Sequence, residues 1–144
     1  MLFGLFAAGS SVAQEQSDNE GFKSNGIELF VGATLRDGDG EASFGVDYER
    51  RMSQDLGLGL MAEYTDGREW VIAVPVSMHI TESWKFVFAL GAELGPDDDD
   101  EFLQRLGVSY EFGFTGWSLA LELNADFAGG ETKTVVGLSI GWEL

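Results

Sequence analysis

From Gly26 to the C-terminus, eight stretches of about eleven residues alternate apolar side chains with small or polar ones. Period two marks an extended strand with two unlike faces, because successive side chains point to opposite sides of a pleated backbone. The first stretch places Ile27, Leu29, Val31, Ala33 and Leu35 on one face. The fourth places Trp70, Ile72, Val74, Val76, Met78 and Ile80 there, and the seventh Trp117, Leu119, Leu121, Leu123, Ala125 and Phe127. Only Arg50, Gln104 and Thr134 interrupt this apolar face, whereas the opposite face is small or charged, with Gly32, Thr34, Ser43, Gly45, Gly107 and Gly137 among its members. No stretch repeats apolar residues at helical spacing, so the expected class is all-β.

The stretches are separated by about three to five residues, too short for any crossover, so each neighbouring pair forms a hairpin and the order is antiparallel and up-and-down. An even number of such strands closes into a barrel. The 144 residues leave room for one fold of this kind and no second core. Pro75, lacking an N–H in a sheet without edges, is expected at a bulge or a rim.

Alternation alone leaves open which face looks inward, and volume decides it. An eight-stranded barrel is only just wide enough to be filled by side chains, and roughly forty mostly large apolar groups would not fit inside. Glycines, serines and paired charges would. The aromatics sort toward segment ends, with Tyr64, Trp70, Phe102 and Phe127 at one rim and Trp84, Phe112, Trp117 and Trp142 at the other, as the two girdles of a membrane interface require. Stretches of this length also match a tilted strand crossing hydrocarbon. The expectation is an eight-stranded antiparallel up-and-down transmembrane β-barrel. The alternative is a soluble β-sandwich binding module, whose two inner faces would also absorb the apolar groups.

Ahead of the barrel, Met1 to Ala13 is an apolar run ending in Ser11-Val12-Ala13, a small-residue pattern like a signal peptidase site, although the usual basic start is missing. Residues 1–13 are therefore read as a secretory signal, 14–25 as a polar, aperiodic linker on the periplasmic side, and 26–144 as the barrel.

The charge is strongly one-sided. There are 25 acidic residues against 8 basic ones, a net charge of −17, which excludes nucleic acid as a natural partner and makes cations the expected company. With 44% hydrophobic residues the chain is nevertheless not of disordered composition. The absence of cysteine removes disulfides, thiolate metal sites and cysteine nucleophiles together.

On the polar face the acids Glu28, Asp47, Glu49, Glu63, Glu93, Glu111, Glu122, Asp126 and Glu143 accompany the cations Arg51, Lys85, Arg105 and Lys133. Buried charges must be paired, protonated or solvated, so Arg105 and Lys85 are expected to pair with Glu93, Glu111 or Glu122. The outer connections hold a second group, Asp37 and Asp39 with Glu41, and Asp97, Asp98, Asp99 and Asp100, where carboxylate oxygens suit a weakly bound calcium or magnesium ion. An EF-hand is excluded, since its sixth position would be Ala42 and its twelfth Tyr48. The acidic connections read more simply as solvated turns, and no cofactor is expected. Ser77 and His79 on the polar face superficially suggest a serine–histidine pair, but no third group is placed to orient the histidine. A lumen histidine bonded to a carboxylate is the simpler reading.

Together the strand count, the Val74-Pro75-Val76 strand followed by the Thr81-Glu82-Ser83 turn, and the closing Val136, Leu138, Ile140, Trp142 and Leu144 give a chain that resembles the small outer-membrane β-barrel domain family: OmpX-like proteins, opacity-type adhesins and the membrane domain of OmpA. The resemblance covers Gly26 to Leu144, and the last residue is leucine where the family usually ends in an aromatic. It implies a cell outer membrane location, with both termini and the turns at Ser53-Gln54, Glu82-Ser83 and Thr115-Gly116 periplasmic and the other four connections outside. It also implies contact with outer-membrane lipids and lipopolysaccharide, recognition of the C-terminal strand by the barrel-assembly machinery, and a non-enzymatic role in envelope structure or surface interaction. A narrow cation-preferring pore and an outer-membrane lipid-modifying enzyme using Ser77 and His79 are the alternatives.

Overall fold

The computed structural model describes residues 25–66, 68–95 and 100–144. Eight strands follow one another: β1 (Asn25–Arg36), β2 (Asp39–Arg51), β3 (Leu56–Thr65), β4 (Glu69–His79), β5 (Trp84–Leu94), β6 (Asp100–Gly113), β7 (Trp117–Ala128) and β8 (Glu131–Glu143). Each pairs antiparallel with the next, and β8 returns to pair with β1, closing the barrel. The expected leader and nearly all of the expected linker, with Asp97, Asp98 and Asp99, lie outside the described residues. Asn25, assigned to the linker from sequence, is the first residue of β1 and accepts a hydrogen bond from the Tyr48 hydroxyl at 2.8 Å.

The register fixes the shape. Pairs can be followed round the barrel from Asn25 through Arg50, Leu58, Val76, Phe88, Leu106, Ala125 and Thr134, arriving back on β1 at Leu35, ten residues along from the start. A stagger of that size over eight strands tilts them by about 40° to the barrel axis. Eleven residues at that tilt climb about 27 Å, close to the thickness of hydrocarbon they would cross. The outer surface is correspondingly apolar: Leu29, Phe44, Leu60, Phe86, Leu106, Leu121 and Leu138 all stand exposed on it.

Three expectations are corrected. The connections range from two to five residues, because the strands run further than the alternation suggested. Asp39, Glu41, Glu69, Asp100, Glu101 and Glu131 belong to strands, and β1 and β2 are joined by Asp37-Gly38 alone. Both turn residues have positive φ, 51° and 87°, the two-residue turn whose twist matches that of the flanking strands. The lumen is also not merely small and charged. Phe30, Val71, Leu103 and Val135 are buried in it, with Met61 packed against the cluster of Val71, Ala73, Ala89 and Leu103. On β6, Leu103 turns inward and Gln104 outward, the reverse of the prevailing pattern. The Phe30 ring covers Gly32 and Gly137, where an added Cβ would lie 2.6 Å from ring carbons.

Finally, Pro75 marks neither a bulge nor a rim. It sits buried in mid-strand, and the β3–β4 pairing skips from Leu58↔Val76 to Met61↔Ala73 without a change of register. Proline offers no N–H there, so the ladder lapses locally opposite Gly59 and Leu60 and then resumes.

Candidate functional site

The lumen charges form two sets at different heights, and the register places the apolar Val71 between Glu63 and Glu93, and Ala89 opposite Arg105, within one of them. Along β5 the order is plain: Lys85 lies toward the end of the barrel that carries Asn25 and Leu144, Ala89 is in the middle, and Glu93 lies toward the opposite, hairpin end.

The set nearer the hairpin end centres on Arg105. Its guanidinium is gripped from both sides: Nε donates to Asp126 Oδ1 at 2.5 Å and Nη2 to Oδ2 at 2.7 Å, while Nη1 and Nη2 donate to the two oxygens of Glu63 at 3.1 and 3.0 Å. All three residues are 3% exposed, so this planar double fork is fully withdrawn from water. Above it Lys133 binds Glu93 and, at 3.3 Å, Glu69, and Glu69 is in turn held by Arg36 at 2.9 and 3.2 Å. Glu69 is thus a lumen residue at the start of β4. The hydroxyls of Thr34, Ser43 and Thr65 form a short chain beside this set, at 2.6 and 3.3 Å.

The set nearer the terminal end is looser. Lys85 Nζ lies 3.3 Å from Glu28 and 3.7 Å from Glu49, and Glu49 Oε2 lies 3.4 Å from Arg51. His79 is held at both ring nitrogens. Arg51 donates to Nδ1 at 3.0 Å, which leaves Nε2 to donate to Glu49 Oε2 at 2.6 Å. Neither bond involves Ser77, so the histidine is engaged elsewhere than on the serine two residues before it. Ser139 donates to Glu122.

The pairing expected from sequence is therefore corrected. Arg105 takes Glu63 and Asp126, and Lys85 takes Glu28 and Glu49, while Glu93 belongs to Lys133. The cross-strand register explains the difference, since Arg105 lies directly opposite Asp126, whereas Glu122 lies opposite Ser109. Glu111 has neither an ion pair nor a side-chain hydrogen bond among the described residues.

A cavity of about 180 Å³ opens at the terminal end, lined by Glu28, Asp47, Glu49, Lys85, Ser109 and Glu111 among others. A smaller one of about 40 Å³ continues inward to Phe30, Met61, Glu63 and Arg105. Beyond that point Arg105, Leu103 and Val135, each 3% exposed or less, fill the section.

The rim aromatics lie at strand ends on the outer surface. Tyr64 and Trp70 pack at 5.1 Å between ring centroids near the hairpin end, where Phe102 and Phe127 also stand exposed. Trp84, Tyr110 and Phe112 form a run of edge contacts at 5.0 and 4.9 Å near the terminal end, with Trp117 stacked on Phe114 and Trp142 exposed beside them. Asp37 occupies the first hairpin turn and Asp39 the start of β2, with Asp100 beginning β6 on a different hairpin. Among the described residues, no three acidic or histidine side chains gather closely enough to hold a metal ion.

No protein-family model matches the sequence, and no curated protein matches it. Solved structures do match the fold. The N-terminal β-barrel domain of Pseudomonas aeruginosa OprF superposes with a TM-score of 0.63 at 11% identity, covering 85% of this chain and 100% of that domain. The attachment invasion locus protein Ail of Yersinia pestis gives 0.54 at 11% identity, over 85% of this chain and 97% of Ail. A de novo designed transmembrane β-barrel gives 0.60 at 14% identity, over 85% and 96%. The chain has the fold of a small eight-stranded transmembrane β-barrel.

Proposed function

We propose that this chain is a non-conducting, non-enzymatic barrel of the cell outer membrane, serving envelope structure or surface interaction. The observation that supports it best is the blocked lumen: Arg105 clamped between Glu63 and Asp126, with Leu103 and Val135 filling the remaining section. Two bidentate forks and buried aliphatics in this section argue against a continuous water path. Small barrels of this fold include a designed one, so the fold carries no role by itself, and the reading rests on the filled interior and the apolar exterior.

On this reading the exterior contacts membrane lipids and lipopolysaccharide, the closing strand is what the barrel-assembly machinery recognises, and the hairpin end faces outside. Ail has been crystallised with the heparin analogue sucrose octasulfate. A net charge of −17 disfavours a polysulfate, so the surface partner of this reading is neutral or cationic. Ser77 and His79 are assigned no catalytic part, because Arg51 and Glu49 occupy both nitrogens of the imidazole.

Purified protein reconstituted in a planar bilayer tests the reading. The expected result is insertion without unitary current steps. Steady cation-selective openings would replace it with the narrow-pore alternative.

A further inference from the structure

We infer that the blind cavity at the terminal end is a binding site for a linear organic polycation, an alkyl di- or polyamine that enters from the open mouth and ends against Ser109. The cavity wall carries the acids Glu28, Asp47, Glu49, Glu82, Glu111 and Glu143 against the cations Lys85 and Arg51, and Glu111 has no cation among the described residues. An acidic wall alone would be an ordinary solvated surface. The second observation is Ser109, which is 5% exposed, lines both the outer cavity and its inner continuation, and has a hydroxyl with no hydrogen-bond partner. Asp47 Oδ1 is likewise buried without a partner on the same wall. Buried hydroxyls and carboxylate oxygens are ordinarily bonded, so a donor is expected at that place. An ammonium group supplies donors and no acceptor, matching the two oxygens left without a partner there, Asp47 Oδ1 and the Ser109 hydroxyl, both of which can accept.

The shape argues for an amine rather than a metal ion. A hard divalent cation needs six or more oxygens converging on one point, and among the described residues no such group of ligands is present. The carboxylates are instead spread along the axis, from Glu111 near the mouth to Asp47 further in. From Gly113 to Ser109 the wall runs about 10 Å deep along a tilted strand. Ammonium groups separated by short alkyl spacers meet such a series one at a time, and the slim chain between them needs little room.

Titration calorimetry of the folded full chain in zwitterionic micelles at low salt, with spermidine as the probe, tests the inference. One saturable site is expected, and magnesium at equal charge should not displace the amine. The Asp47→Asn, Glu111→Gln double variant should weaken binding about tenfold, and Ser109→Ala about threefold, as expected for one lost hydrogen bond. Asp39→Asn with Glu131→Gln, at the other end of the barrel, should leave affinity unchanged. A heat-induced gel shift reports that each variant is folded, and Ser109→Ala carries the test if the double variant does not fold. Non-saturating heats, equal displacement by magnesium, or equal weakening by the hairpin-end variant would each overturn the proposal in favour of diffuse attraction to an acidic protein. Binding in micelles does not depend on whether the barrel conducts, so the two readings fail separately.

Discussion

At the scale of single residues, Arg105 shows what a buried charge demands. A guanidinium at 3% exposure is stable only because two carboxylates satisfy it, and those carboxylates depend equally on the arginine. Arg105→Leu should therefore destabilise the folded barrel by about 3–5 kcal/mol, since it strands Glu63 and Asp126 together in a dry space. Replacing all three, as Arg105→Met with Glu63→Leu and Asp126→Val, should recover most of that loss, because a well-packed apolar plug needs no desolvated charge. Urea unfolding of the two variants in micelles separates these outcomes. If the single and triple changes cost the same, the stability of this section comes from packing volume and not from ion pairing. The looser set around Lys85 and Glu49 keeps contact with the open cavity, and single changes there should cost less.

At the scale of strands and turns, the alternation was legible because its period is fixed by backbone geometry and needs no partner to be seen. Strand number, strand type and the outward face of Ile27 to Leu35 or Trp117 to Phe127 followed from it directly. Partners across the lumen did not follow, because they depend on the stagger between strands, which no single stretch encodes. The expected partner Glu122 stands on the right strand but four residues from Asp126, which the register sets opposite Arg105. Leu103 and Phe30 were missed for a related reason: an isolated apolar side chain on a polar face looks like an exception until the glycines or the plug it packs against are known. Turn chemistry was half visible. In the sequence Asp37 reads as part of an acidic outer connection, although Asp-Gly between alternating stretches is a strong signal for a two-residue turn with both φ positive. Gly38→Ala at φ 87° should cost about 1 kcal/mol in unfolding experiments, with the barrel otherwise intact. No change in stability would mean that this hairpin contributes little to the fold.

At the scale of the whole molecule, the barrel is an inverted object, with charge inside and hydrocarbon outside. Leu60, 64% exposed at the middle of β3, faces outward. Leu60→Arg should cost about 2–4 kcal/mol when the protein is unfolded from lipid bilayers. A neutral result would be the behaviour of a soluble surface and would revive the sandwich. Closure has a consequence in time as well as in space. β1 and β8 lie at opposite ends of the barrel sequence, yet Gly26 lies beside Glu143 and Leu35 beside Thr134, so the first strand remains half-paired until the last one docks. Contacts this far apart along the chain make assembly slow, and until β8 docks on β1 the sheet has two open edges that can pair with the wrong neighbour. A chain cut short before Glu131 is therefore not a slightly smaller barrel but an unsealed sheet, and the seam between the two terminal strands is what turns a ribbon with two edges into a surface with none.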